Sequence, residues 1–385
     1  MQRHWCLAVV STLALAGCAD GAVEEDPDLP GAGGKADDGA AIACGDSVIE
    51  PSFAPLDGGA LAGLTPSNGV PFPKYGPGDD GSFHPMWGYA EGGTYAQGTD
   101  DPEHRPRANR TLPRRDGFLR VAVWNVSRGE KLDTLIRRMK EIDADVWLLN
   151  EADLYGQLTG NTVAAREMAR ALGYTYYAST EFYELREDRL GMSGNAIASR
   201  YPLFDAQRID LPILADQGGY DWTDSTSEPR CGGRSAIAAR ALVPNALGGT
   251  TSVRFVTPHL ENKTNRDVRW AQYQAARDAL TTPGEAAILG GDFNTWHFFE
   301  GSEFRGNLRD ELDAAGGDAD RGSPNAFMDC SLGDDATTHI AGRIDWMLLQ
   351  LGQNDRIACL PGAYSVQIGD GSDHDMVVTD VFVRR

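Results

Sequence analysis

Polar residues able to run a catalytic centre recur in this chain where apolar runs end. "VAVWN" closes on Asn125, "VWLLNE" on Glu151, "FVTPH" on His259, "AILGGDFN" on Asp292 and Asn294, "GRID" on Asp345, and "GSDH" on Asp373 and His374. A single such residue means little, because Asp and Asn cap turns and helices everywhere. Recurrence at the ends of many strands describes a site held by a rigid sheet, with its reacting groups on the loops.

The residue types fit one chemistry. Carboxylate and amide oxygens are hard donors that suit Mg2+, with Mn2+ or Ca2+ as substitutes, and Glu151 is the best single ligand. No CxxC pair or local Cys/His cluster is present, which disfavours structural zinc. A histidine beside a carboxylate exchanges a proton near neutral pH, and the carboxylate fixes its tautomer. A divalent cation with a His–Asp pair points to phosphoester hydrolysis, in which positioning and charge neutralisation supply most of the catalysis.

These residues need a sheet to hold them, and the pattern from Phe118 onward predicts one. Strands are expected at "FLRVAVWNV", "DADVWLLNEA", "TYYAS", "GNAIASR", "RSAIAARALV", "SVRFVTPHL", "EAAILGGD", "IDWMLLQ", "YSVQI" and "MVVTDVFV". Leu132, Leu135, Ile136, Met139 and Ile142 fall at helical spacing in "KLDTLIRRMKEI", "NTVAAREMARALG" is a helix closed by glycine, and further helices are expected at 266–280 and near 303–315. Mixed strands with interspersed helices and no fixed repeat give one α/β domain over 116–385.

The N-terminal third reads differently. "MQRHWCLAVVSTLALAGC" has a short polar start, an apolar core too short to span a bilayer, and small residues before Cys18, which is the form of an export signal. Leu15-Ala16-Gly17-Cys18 resembles the bacterial lipobox, so residues 1–17 are expected to be a lipoprotein signal and Cys18 the lipid anchor. Residues 18–115, rich in Gly, Pro, Asp and Ala, are expected to be a flexible tether. Arg105, Arg107, Arg110, Arg114 and Arg115 form a basic run at its end, read as a solvated face.

Cys44, Cys231, Cys330 and Cys359 follow the signal, and in an oxidising compartment they allow three disulfide connectivities. The 330–359 pairing is favoured. The formal net charge of −21 argues against tight tracking of a nucleic-acid backbone but leaves a small phosphorylated substrate open.

The ordered set "WNV", "LLNE", "GNAIASR", "TPHLEN", "GGDFN", "GRIDW" and "GSDHD" resembles the endonuclease/exonuclease/phosphatase superfamily over 116–385. The resemblance implies a four-layer sandwich, two packed mixed β-sheets with helices on both outer faces, and a site at one end. It implies that Asn125, Glu151 and Asp373 hold the divalent metal and that His374 pairs with Asp345. His259 would donate to the phosphate, Asp292 and Asn294 would place the attacking water, and Asn195 would support them. The base is assigned jointly to His374 and Asp292. Two departures stand out: Asp375-Met376 follows the histidine where relatives often carry a small residue or proline, and no tyrosine, Tyr183 included, aligns with the one used by DNA-acting members.

The expected substrate is therefore a small or lipid-like phosphodiester or phosphomonoester, hydrolysed by a monomer anchored at the bacterial cell envelope. The alternatives are an extracellular nuclease and a non-catalytic surface-binding lipoprotein. Trp296, Phe298 and Phe299 after Asn294 are read as core, and the Gly- and Ser-rich insertion 216–233 as either a cover over the site or a disordered segment, with a disulfide at Cys231 favouring the cover.

Overall fold

The computed structural model describes residues 90–95, 118–156, 158–159, 162–184, 191–212, 230–262, 266–279, 282–295, 327–331, 338–339 and 343–384. Cys18, the basic run, Trp296, Phe298, Phe299, the helix expected near 303–315 and most of the 216–233 insertion lie outside them. The described elements are β1 (Ala90–Thr94), β2 (Phe118–Asn125), α1 (Leu132–Ile142), β3 (Val146–Asn150), α2 (Ala164–Leu172), β4 (Thr175–Glu184), β5 (Gly191–Ser199), β6 (Leu203–Asp210), β7 (Arg230–Gly232), β8 (Ser235–Pro244), β9 (Thr250–Pro258), α3 (Arg266–Asp278), β10 (Ala286–Asp292), β11 (Phe327–Asp329), β12 (Asp345–Gln350), β13 (Ile357–Gln367) and β14 (Met376–Val383).

Side-chain alternation along the strands builds the layers. In β2, Val121 and Val123 join a core with Ile237, Phe255, Ile288 and Met347 of the other sheet, while Ala122 and Trp124 face Leu135 and Met139 of α1 and Met168 of α2. In β10, Ile288 faces the first sheet, and Leu289 joins Tyr273 and Ala276 of α3. Three buried clusters thus separate four layers: α1 and α2, a sheet ordered β1-β4-β5-β3-β2-β14-β13 with β7 on β4, a sheet ordered β11-β12-β10-β9-β8-β6, and α3. Both sheets are mixed, with β2–β3 and β9–β10 parallel. This is the sandwich expected, with helices on both outer faces.

Two places depart from the expectation. Ala90–Thr94, read as tether, is an edge strand paired with β4. Its composition hides it, since "AEGGT" has no β-branched or apolar run. What holds it is polar: Glu91, buried, ion-pairs with Arg166 and accepts a hydrogen bond from the Tyr176 hydroxyl at 2.6 Å. Residues 230–232 of the insertion form β7, which extends the first sheet at β4.

The parallel pairs determine where the site falls. β2 and β3 end together at Asn125 and Asn150, and the β9–β10 pairing ends in a bridge between His259 and Asp292. β12 runs antiparallel to β10, so its first residue, Asp345, lies opposite Asp292. β14 runs antiparallel to β2, so the segment entering it, with His374, reaches the same end. Cys330, just after β11, is joined to Cys359 in β13 by a disulfide, the pairing favoured from sequence.

Candidate active site

His374 and Asp345 meet as the resemblance implied: His374 Nδ1 lies 2.9 Å from Asp345 Oδ2, with both residues buried. The other ring nitrogen, Nε2, lies 3.8 Å from Asp292 Oδ2. The same Asp292 oxygen is 3.4 Å from His259 Nε2 and accepts a hydrogen bond from Asn125 Nδ2 at 3.2 Å. Asp292 is fixed from both ends, its backbone N–H donating to Asn150 Oδ1 at 2.8 Å and its Oδ1 accepting from the Asn294 N–H at 2.9 Å. Asn294 in turn donates from Nδ2 to the carbonyl of Leu260 at 2.8 Å.

A buried support set lies behind His259. Glu181 Oε2 is 3.2 Å from His259 Nδ1 and accepts from Arg234 at 3.1 Å, while Glu181 Oε1 accepts from Asn195 Nδ2 at 2.9 Å. Asn195 Oδ1 accepts from Asn150 at 2.7 Å. Asn195 therefore links Glu181 to the Asn150 that holds Asp292.

The charges shift one another strongly. Burial lowers the His374 pKa, and the carboxylates of Asp345, Asp292 and Asp373 outweigh it, raising the group to about 10. Burial and the Arg234 guanidinium push His259 down, yet Glu181 and Asp292 lift it to about 9. Burial alone would raise Glu181, but His259 and Arg234 hold it at about 2. Asp292 is likewise held below the usual carboxylate range by His259, His374 and the Asn294 N–H against its burial. Burial pushes the Asp345 carboxyl up, and His374 opposes that shift. Asp375, the departure noted from sequence, accepts from the Gly369 N–H at 2.8 Å and so closes the turn before the strand.

Of the residues expected at a metal, which stand at the same strand ends, Asn125 is buried while Glu151 and Asp373 are more open. Glu151 follows Asn150 directly, with a left-handed φ of 49° that costs on the order of 1–3 kcal/mol in a residue of its type. Its carboxylate is a quarter exposed and lies 3.4 Å from Arg128 Nε. Asp373 is exposed, and its neighbour Ser372 donates to the Asn125 carbonyl at 2.7 Å, which ties that loop to the end of β2. Asn125 Oδ1 accepts from the Ser127 N–H. An all-oxygen donor set with two solvent-reachable carboxylates fits a hard divalent cation, and these three residues could hold one.

A family model described as Endonuclease/Exonuclease/phosphatase family matches residues 122–374, more than half of the chain. The chain belongs to this family. The family's name spans nucleases and phosphatases, which share hydrolysis of a phosphoester bond, so the chain is a hydrolase of that broad kind. No curated protein matches the chain. Among solved structures it is similar to an endonuclease/exonuclease/phosphatase from Beutenbergia cavernae, at 17% identity over 69% of this chain and 72% of that one, TM-score 0.49. It is also similar to a mannosyl-6-phosphatase from Bacteroides thetaiotaomicron, at 14% identity over 68% and 99%, TM-score 0.43, and to a 3' phosphatase from Neisseria bound to a product DNA hairpin, at 17% over 68% and 98%, TM-score 0.43. Similarity at this level assigns no substrate.

Several site residues of this family member escaped the sequence reading. Glu181 sits at an irregularity of β4 between Thr180 and Phe182 and turns to Arg234 and His259. A carboxylate just beyond the strand "TYYAS" was the signal available. Asn150, Arg128 and Arg234 lacked even that, because each depends on a neighbour distant in sequence.

Proposed function

We propose that this chain is a divalent-metal-dependent phosphoesterase whose substrate is a small or lipid-like phosphodiester or phosphomonoester, working from the cell envelope through a lipid on Cys18. The observation that carries the reading is the buried run Asp345, His374, Asp292 and His259, each within 2.9 to 3.8 Å of the next at the joined ends of two sheets. Such a run serves a reaction in which a water must be oriented and stripped of a proton beside a negative centre.

In this mechanism Asp292 and His374 together hold the attacking water in line with the phosphorus, and its proton leaves through this pair, of which Asp292 is the ionised member. Asp345 fixes the His374 ring through Nδ1. His259, kept charged by Glu181 and Asp292, stabilises the equatorial oxygens as the phosphorus becomes pentavalent, and Asn294 fixes Asp292. Glu151, Asn125 and Asp373 would hold the cation, which supplies charge neutralisation on the phosphate when bound. The acidic balance of the chain, −21 overall, supports a small or lipid-like substrate over a nucleic-acid strand.

The test is a panel of DNA, RNA, phospholipid, sphingomyelin and inositol phosphates, assayed with and without Mg2+. Chelation, His374→Ala and Asp292→Ala should each lower turnover by about 10²–10⁴-fold. Full activity in either variant sinks the mechanism, and cleavage of nucleic acid alone overturns the substrate ranking.

A further inference from the structure

His339 takes no part in the mechanism above, yet the fold seats it against His374. The two rings stand 4.7 Å apart between centroids, tilted by 38°, and His339 Nε2 lies 3.8 Å from Asp373 Oδ2. The segment carrying His339 is clamped on two sides. Thr338 Oγ1 accepts from the N–H groups of Ile344 and Asp345 at 3.2 and 3.1 Å, and its carbonyl accepts from the Asp375 N–H at 2.7 Å. The clamp joins the start of β12 to the entry of β14, so His339 is held beside His374 by the same backbone that positions the Asp345 pair.

One ligand atom from each of His339, Asp373 and His374 lies within 4.8 Å of the others. A transition-metal ion about 2.0–2.2 Å from each ligand spans pairs up to roughly 4 Å apart, so a contraction of under about 1 Å closes the set. Asp373, exposed on its loop, can supply that movement. Since His374 Nδ1 faces Asp345, Nε2 is its ligand atom, and a carboxylate on the far nitrogen is the arrangement that orients a ligating imidazole.

We propose that His339, Asp373 and His374 form an inhibitory site for a borderline transition-metal ion, Zn2+ foremost. Two imidazoles and one carboxylate favour such an ion over Mg2+, which prefers an all-oxygen shell and keeps its waters. Three protein ligands leave a fourth position for water or a phosphate oxygen. The ion displaces the proton of His374 Nε2 to solvent, takes the freed lone pair and draws Asp373 away from the Glu151 and Asn125 side, so it blocks proton transfer and weakens the hard-cation set together. The inhibition rests on the proposed role of His374 in hydrolysis; the binding site does not.

The test uses the full chain with Co2+ as a spectroscopic probe, followed by displacement with Zn2+ under excess Mg2+. The wild type should bind one equivalent with a visible ligand-field band that Zn2+ abolishes and Mg2+ does not. His339→Asn and His339→Ala, each checked for native circular dichroism, should weaken Zn2+ binding at least tenfold. Both should raise the Zn2+ concentration that inhibits Mg2+-supported hydrolysis by the same factor and leave hydrolysis without Zn2+ unchanged. Unaltered Zn2+ affinity in both folded variants overturns the site. Binding through His339 without any Zn2+ inhibition overturns the inhibitory role, and a chain that binds Co2+ through His339 but hydrolyses no phosphoester fails the proposed function and that role while keeping the site.

Discussion

His259 keeps a proton only because of what stands behind it. Arg234 Nη1, 2.7 Å from the ring, opposes the charge, and Glu181 and Asp292 override it. The sign of the pH dependence follows. His259 rises in the folded chain from 6.5 to about 9, so its contribution to stability is full below pH 6.5 and fades as pH rises through 9. Glu181 falls from 4.5 to about 2, so its contribution is full above pH 4.5 and fades as pH drops toward 2. Urea midpoints of the wild type should therefore decline between pH 6.5 and 9. In Glu181→Gln that decline should flatten, because the remaining Asp292 holds the proton less firmly; an unchanged slope would show that Glu181 does not set the charge of His259. At this scale the residues that meet at the strand ends were legible, since His374, Asp345, Asp292 and His259 stand in short motifs. Glu181 and Arg234 were not, because a Glu in "STEFY" or an Arg in "GGRS" gains meaning only when β4, β8 and β9 meet.

The strand ends place these side chains, and Gly291 shows how closely. A Cβ there would stand 2.0 Å from the Pro258 carbonyl oxygen and 3.1 Å from Asn150 Oδ1, so only glycine lets β10 come near enough for the Asp292 N–H to reach Asn150. Gly291→Ala should cost about 1–3 kcal/mol through overpacking. Activity should suffer more than stability does, falling about a hundredfold for a displacement of about 1 Å at Asp292, as measured by turnover beside thermal unfolding. Loss of stability with wild-type turnover would separate the glycine from the site. Elements with continuous apolar or strictly alternating runs were legible for the same reason that they are buried. β6 and β1 were not: β6, "LFDAQRID" at a sheet edge, buries only Leu203 and has no apolar run, and β1 is carried by the Glu91 ion pair instead of apolar contact.

The described residues from 90 onward are built as two sheets pressed together, and the disulfide crosses between them at one edge. Cys330 follows β11 of one sheet and Cys359 lies in β13 of the other, 29 residues away. Both sulfurs pack into the inter-sheet core with Met347, Leu349 and Val381. Closing a loop of this length removes roughly 3–4 kcal/mol of conformational freedom from the unfolded chain. Cys330→Ala with Cys359→Ala should lower stability by about that amount, read from urea unfolding. The active site, tied to the opposite demands of charge and register at the strand ends, should keep its turnover below the new melting transition. If the double variant instead loses turnover at temperatures where circular dichroism remains native, the bridge also holds β12 and Asp345 in register, because β11 pairs with β12 along the residues that lead back to Asp345.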